Sequence, residues 1–197
     1  YLTIGARNAA ILAEVAGDDV LFVWEPFYHL AGWTSVLVAL RAGIPIAMVE
    51  RFSASRCWDQ VRRYRATRFH YLGGVINILL KQDPKPDDAD HPVKIFWGGG
   101  APAASWPVFE RRFGVKIREG YGLSEAGNFV SLNLDGPTGS VGRAADGYRI
   151  RIMRPDGSAA PPGKRGEIVV VPQRPGMTMV GYYREPEKTR DMLRPDG

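Results

Sequence analysis

Apolar residues recur at helical spacing from Ile4 to Val15 and the run ends at Gly17, after which Asp18-Asp19 leads into the short apolar segment Val20 to Trp24. The pattern predicts helix, turn, strand. Leu30 to Ala42 reads as a helix stopped by Gly43, and Ile44 to Val49 as a buried strand. Ala54 to Arg65 carries Trp58, Val61 and Tyr64 at three-residue steps, the mark of an amphipathic helix. Arg68 to Leu72 reads as a strand, Val75 to Lys81 as a helix, and the polar stretch Asp83 to His91 as a surface loop without an apolar anchor. Val93 to Trp97 is a strand running straight into Gly98-Gly99-Gly100. Ala103 to Phe113 is a helix closed by Gly114, and Val115 to about Arg118 is a further strand. Strands alternating with helices of this length predict an α/β fold: a mainly parallel sheet with helices on both faces.

After Ser131 the texture changes. Gly and Pro punctuate the chain from Gly136 to Gly163, and helical spacing disappears. Tyr148, Ile150 and Ile152 alternate with Arg149, Arg151 and Met153 up to the turn Pro155-Asp156-Gly157, so a strand with one solvated face ends in a hairpin-like bend. Glu167 to Val171 is its expected partner. The boundary falls near residues 132 to 143, between an α/β part (1–135) and a smaller β-rich, distorted barrel-like unit (136–197) ending in the helical segment Glu187 to Leu193.

Composition narrows the setting. At 197 residues and 45% hydrophobic content the chain can bury a core. Its longest apolar stretch is broken by Arg41 and by Gly43 and Pro45, short of the roughly 20 residues a membrane span needs. The single cysteine, Cys57, excludes an internal disulfide framework and a Cys-based metal site, and a cytoplasmic setting is expected. The chain opens at Tyr1 in what reads as helix, without a basic-then-apolar leader, as an internal piece would. Twenty-six basic against 21 acidic residues give +5, concentrated in Arg56, Arg62, Arg63, Arg65 and Arg68 and in Arg111, Arg112, Lys116 and Arg118. Basic residues on outer helix faces read as solvated surface; nucleic-acid binding is the alternative, and salt-sensitive association would be its sign.

In an open parallel sheet, ligands bind outside the carboxyl ends of the strands. Glu25 to His29, Gly98 to Pro102 and Glu119 to Glu125 fall there by this reading. Residues without side chains, such as Gly98, Gly99 and Gly100, let backbone amides approach a planar base, and Tyr121 offers a face for stacking. Gly122 lets the chain turn so that Ser124 and Glu125 point into the same cleft. A hydroxyl can donate to a phosphate oxygen, and a carboxylate is a hard ligand suited to Mg²⁺ shared with phosphates. Taken singly, the glycines also fit an ordinary strand-to-helix connection, and Ser124 with Glu125 a helix cap.

Tyr121-Gly122-Leu123-Ser124-Glu125 resembles the YG-x-TE signature of the adenylate-forming superfamily of acyl-CoA synthetases, peptide-synthetase adenylation domains and luciferases. It is preceded by GGGAP, similar to that family's GGAP segment. Pro26-Phe27-Tyr28-His29 resembles its P-x-x-H segment, Gly139 to Arg143 its GSVGR link, Arg165 to Ile168 its GEI strand, and Gly181-Tyr182-Tyr183 with Glu187-Lys188-Thr189 its GY…T segment. Val49 to Ala54, Trp58 to Val61, Tyr64 to Thr67 and Arg174 to Thr178 are most similar to carnitine- or crotonobetaine-CoA ligase-like proteins.

The resemblance implies ATP-dependent activation of a carboxylic acid as acyl-AMP, followed by transfer to a thiol, usually of coenzyme A. It implies that Gly99, Gly100, Ala101, Pro102, Glu119, Gly120, Tyr121 and Gly122 line the nucleotide, that Ser124 contacts phosphate and that Glu125 holds Mg²⁺. His29 would stand at the mouth of an acid pocket lined by Gly73, Gly74, Trp97, Gly98 and Leu123. Ser124 replaces the usual Thr and keeps the hydroxyl. Gly73-Gly74 stands where the family commonly has a proline, and either makes room for a bulky acyl group or marks a mobile connection. The family's phosphate loop ending in lysine has no counterpart between Tyr1 and Asp18. Its aromatic-x-TGD segment and lysine-bearing C-terminal domain would follow Asp196-Gly197. The 197 residues alone are therefore expected not to turn over. A carrier-protein-loading adenylation domain and a non-catalytic module on the same scaffold are the alternatives.

Overall fold

The computed structural model describes residues 2–194; Tyr1 at the start of the expected first helix, and Asp196-Gly197 at the end, lie outside the described residues. The chain runs α1 (Leu2–Leu12), β1 (Leu21–Val23), α2 (Leu30–Ala42), β2 (Ile46–Met48), α3 (Cys57–Tyr64), β3 (Arg68–Leu72), α4 (Gly73–Leu80), β4 (Ile95–Gly99), α5 (Trp106–Phe113) and β5 (Lys116–Leu123). A 3-10 turn (Ser124–Ala126), β6 (Asn128–Asn133), β7 (Arg143–Ala144), β8 (Tyr148–Met153), β9 (Glu167–Pro172) and α6 (Pro186–Met192) follow.

Seven strands form one sheet in the order β2-β1-β3-β4-β5-β6-β7. The first five are parallel, and β6 and β7 add antiparallel strands at one edge. Side chains alternate across the sheet, so each strand feeds two cores. Phe22, Phe69, Tyr71, Phe96 and Ile117 point to one face, where they meet Val61 of α3, Ile76 and Leu79 of α4, and Phe109 and Phe113 of α5. Leu21, Val23, Ile95 and Trp97 point to the other, against Ala6, Ala9 and Leu12 of α1 and Val38 and Ala39 of α2. The expected two-faced α/β architecture is therefore present. β8 and β9 pair as a separate two-stranded antiparallel sheet. No helix among the described residues is long and apolar enough to cross a membrane.

Helix ends follow local chemistry. Gly43 (φ 68°) and Gly114 (φ 63°) adopt the left-handed conformation that closes α2 and α5. α3 closes the same way on Arg65 (φ 52°), a residue the pattern had placed inside the helix.

Four expectations need correction. β5 extends to Leu123, so Glu119 to Leu123 is strand rather than loop; antiparallel pairing with β6 carries it beyond the point where its parallel neighbour ends. Asp83 to His91 is anchored, and through polar groups: the His91 ring stacks on Trp58 (4.2 Å, 5°), and Asp88 pairs with Arg112 at 2.7 Å. Arg68 is not on a solvated face. It is buried in β3, paired with Asp19 at 2.9 Å and donating to the carbonyls of Ala13 and Glu14 at 2.7 and 2.8 Å. Gly73 and Gly74, expected to precede a helix starting at Val75, form the first turn of α4.

Candidate functional site

Strand alternation makes the cavity. His70 and Leu72 on β3, Trp97 and Gly99 on β4, and Gly120 and Gly122 on β5 share one face by the alternation of adjacent strands. Where Gly99, Gly120 and Gly122 supply no side chains, the sheet surface is left open toward the carboxyl end. The result is a cavity of about 360 Å³ whose lining includes His29, His70, Gly99, Tyr121, Ser124 and Phe129. Its size is at the lower end of ordinary ligand pockets.

The loops around it are fixed by close backbone approaches. The His29 N–H donates to the Pro26 carbonyl at 3.0 Å, and its Nδ1 accepts from the Ala31 N–H at 3.2 Å, making His29 the N-cap of α2. Gly32 lets that helix sit against the turn: a Cβ there would lie 2.4 Å from the Pro26 carbonyl oxygen. At Gly73 a Cβ would lie 2.1 Å from the Gly100 carbonyl oxygen, so the small residue serves a chain crossing. Glu119 is buried on the opposite sheet face. Its carboxylate accepts from the Gly100 N–H at 2.5 Å, from the Ala101 N–H at 3.1 Å, and from the Tyr71 hydroxyl. Burial raises the Glu119 carboxyl above its ordinary value, against the lowering effect of those donors, and burial with the Glu119 charge raises Tyr71 as well. Glu119 thus shapes the Gly100-Ala101 loop from behind.

Beyond β5 the chain makes a 3-10 turn that ends on Gly127 (φ 73°), whose N–H donates to the Ser124 carbonyl at 3.2 Å. Ser124 is exposed at the cavity rim and Glu125 is half-buried on the far side of the turn. The Tyr182 hydroxyl donates to Glu125 Oε1 at 2.5 Å, and this hydrogen bond raises the tyrosine above its ordinary value. Ser124 and Glu125 therefore do not point into one cleft as expected: the 3-10 turn sets Ser124 on the first cavity and Glu125 on a second, of about 390 Å³, bounded by β9, Tyr182 and α6. No cluster of three or more metal-ligating side chains occurs among the described residues. Glu125 shares the second cavity's lining with Glu167 and Asp191, and Mg²⁺ usually draws on one or two carboxylates together with substrate phosphates.

Of the residues singled out from sequence, the first cavity brings together His29, Gly99, Gly100, Gly120, Tyr121, Gly122, Leu123 and Ser124. Glu119, Ala101, Pro102, Gly98, Trp97, Gly73 and Gly74 stand outside its lining, the first two as a loop contact and Trp97 in the core against His70 and Phe129. Sequence reasoning missed His70, Phe129 and Tyr182. For His70 a signal existed: a histidine in an otherwise apolar segment, on the same face as the glycines that follow in β4 and β5.

The AMP-binding enzyme family matches residues 2–183. Mouse (Mus musculus) long-chain fatty acid transport protein 3 is 31% identical over 94% of this chain and 30% of its own length. The medium/long-chain-fatty-acid–CoA ligase FadD17 of Mycobacterium tuberculosis is 35% identical over 85% and 33%. Crotonobetaine/carnitine–CoA ligase of Salmonella paratyphi C is 32% identical over 91% and 36%. The chain thus spans about a third of the length of these curated relatives. Apo MatB of Rhodopseudomonas palustris superposes with a TM-score of 0.82 at 28% identity, over 99% of this chain and 40% of that one. By the span of the family match and the agreement of fold and motifs, the chain belongs to the AMP-binding enzyme family.

Proposed function

We propose that this chain holds the nucleotide and the acid in an ATP-dependent acyl-CoA ligase. The observation that carries the reading is the convergence of His29, Gly99, Gly100, Tyr121 and Ser124 on one cavity at the carboxyl end of the sheet. In this reading the acid's carboxylate attacks the α-phosphorus of ATP, giving acyl-AMP and pyrophosphate. The coenzyme A thiol then displaces AMP. Tyr121 and the Gly99 to Pro102 segment line the adenine, with Glu119 holding the Gly100 and Ala101 amides in place. Ser124 donates to phosphate. Glu125, oriented by Tyr182, would hold Mg²⁺, whose charge offsets that on the transferring phosphoryl group. His29, fixed through Nδ1 at the start of α2, presents its ring at the cavity mouth beside the acid. Residues 1–135 and 136–197 form the two parts of this site, with ATP and coenzyme A drawn from the cytoplasm.

The test is pyrophosphate release by the full-length protein across a panel of carboxylates, with thioester formation followed once coenzyme A is added. Ser124→Ala and Glu125→Gln should each lower the rate by about 100-fold or more while leaving the melting transition in place. Absence of pyrophosphate release with every acid, or undiminished rates in both variants, would overturn the reading. The 197 residues alone are expected to release none.

A further inference from the structure

The wall of the first cavity carries His70, half of a buried polar pair with Glu25 that the fold does not require. His70 and Glu25 have side chains only 2% and 1% exposed, and His70 Nδ1 contacts Glu25 Oε1. A buried carboxylate is strongly unfavourable unless it is fully partnered. This one is not: Glu25 Oε2 is buried with no hydrogen-bond partner among the described residues. The neighbours of His70 in β3, Phe69 and Tyr71, lie in the apolar core of the opposite face. Stability alone would favour an apolar side chain at both positions.

The ring is also held in one orientation. Trp97 meets it edge-on at 4.5 Å, and the Trp24 indole N–H donates to the His70 carbonyl at 2.8 Å. With Nδ1 committed to Glu25, the tautomer that donates from Nδ1 leaves Nε2, which has no hydrogen bond among the described residues, as the atom for whatever enters. Its depth is set by register. His70 pairs with Trp97 two residues before the Leu72–Gly99 level, which places it about 7 Å below the edge where the Gly99-Gly100 turn begins. A ligand with its reacting end at that edge would therefore direct its far end toward His70, past Leu72, the glycines of β4 and β5, and Phe129.

On the reading of this cavity as the acid site, we propose that the Glu25–His70 pair determines which acid is accepted, selecting a hydroxy acid over the plain alkanoate of equal length. A hydroxyl reaching His70 Nε2 gives that atom a partner, while a methylene in the same place shuts it off from water and leaves it unpaired. Sites built to hydrogen-bond a substrate hydroxyl discriminate strongly for this reason. Glu25 acts through the ring as a positioning residue, fixing the tautomer and angle.

The experiment uses the full-length protein with matched pairs of alkanoates and hydroxyalkanoates, the hydroxyl position being walked along the chain. Two readouts are taken: acid binding by calorimetry in the absence of ATP, and kcat/KM for pyrophosphate release. Wild type should favour one hydroxy isomer by at least about 30-fold in both. His70→Leu should reduce the ratio to about threefold or less with KM for ATP unchanged. His70→Gln, which keeps a hydrogen-bonding group, should retain part of the preference, and Glu25→Gln should weaken it. Equal binding of both acids by wild type, or an unchanged ratio in a folded His70→Leu protein, would overturn the proposal. A binding preference that His70→Leu abolishes, in a protein that releases no pyrophosphate, supports the pair's role and removes the ligase reading instead.

Discussion

Glu119 illustrates how one side chain ties the core to the site. It accepts from two loop amides and a tyrosine while standing on the sheet face opposite the cavity. Glu119→Ala would leave the Gly100 and Ala101 N–H groups and the Tyr71 hydroxyl without this acceptor, at a cost of about 3 kcal/mol in urea unfolding. Glu119→Gln keeps an acceptor and should cost less. The two proteins also differ in pH dependence. The wild-type carboxyl is raised above its ordinary value of 4.5, chiefly by burial, so the native state holds a proton that the unfolded chain releases. The stability linked to this group is fully present below the ordinary value and is lost as pH rises through the raised one. The wild-type advantage over Glu119→Gln should therefore shrink with increasing pH across that window. A flat difference would show that Glu119 does not titrate in this way. The sequence placed Glu119 beside the nucleotide because it adjoins Tyr121. What a linear reading could not supply was the partner, since Tyr71 lies 48 positions away and meets it only once β3, β4 and β5 align.

At the scale of elements, α1 bears directly on the site although it carries none of the family's signature residues. Asn8 donates to the Phe129 carbonyl at 2.9 Å, and a Cβ on Gly5 would lie 1.8 Å from the Gly127 carbonyl oxygen. The helix is pressed against the strand that begins just past the Ser124–Ala126 turn. Helix propensity alone predicts that Gly5→Ala stabilises by about 1 kcal/mol. The backbone contact reverses the sign: α1 must withdraw or Gly127 must move, and a net loss of about 2 kcal/mol in chemical denaturation is expected. A gain would mean that α1 is not docked as described. Helices and strands with clean periodicity, such as Leu30–Ala42 and Arg68–Leu72, were legible in the sequence to the residue. β6 was not. Its Asn128 to Asn133 run carries polar side chains at Asn128, Ser131 and Asn133 that interrupt any apolar alternation, yet all three are buried. Ser131 donates to the Val141 carbonyl at 2.8 Å, and Asn133 to the Pro137 and Ser140 carbonyls at 3.1 and 2.8 Å. Polar residues that satisfy a returning loop do not show as hydrophobic alternation.

For the molecule as a whole, the question is how the two-stranded sheet is coupled to the large one, because Glu125 stands between them. The link is narrow. The Tyr148 hydroxyl at the start of β8 lies 2.7 Å from the Ala126 carbonyl oxygen and 3.0 Å from that of Met177, within a small apolar cluster of Ala126, Val130, Ala145, Tyr148 and Met177. Nearby, the Met179 N–H donates to the Glu125 carbonyl at 2.7 Å, and Tyr182 donates to its carboxylate. The turn bearing Ser124 and Glu125 is therefore held by Tyr148 of β8 and by the segment that follows β9. Tyr148→Phe keeps the ring and its packing but removes the donor shared by the two carbonyls. Global stability should fall by only about 1 kcal/mol, the usual net worth of a buried hydrogen bond. The local effect should be larger in kind. With that tie gone, the segments around residues 124–127 and 175–182 lose a common anchor, and the amides of both should exchange faster together, that of Met179 included. Hydrogen exchange resolved by peptide checks this. Faster exchange in β8 and β9 alone, with 124–127 unchanged, would show that the small sheet moves without disturbing Glu125, and that the turn is held by β5 and β6.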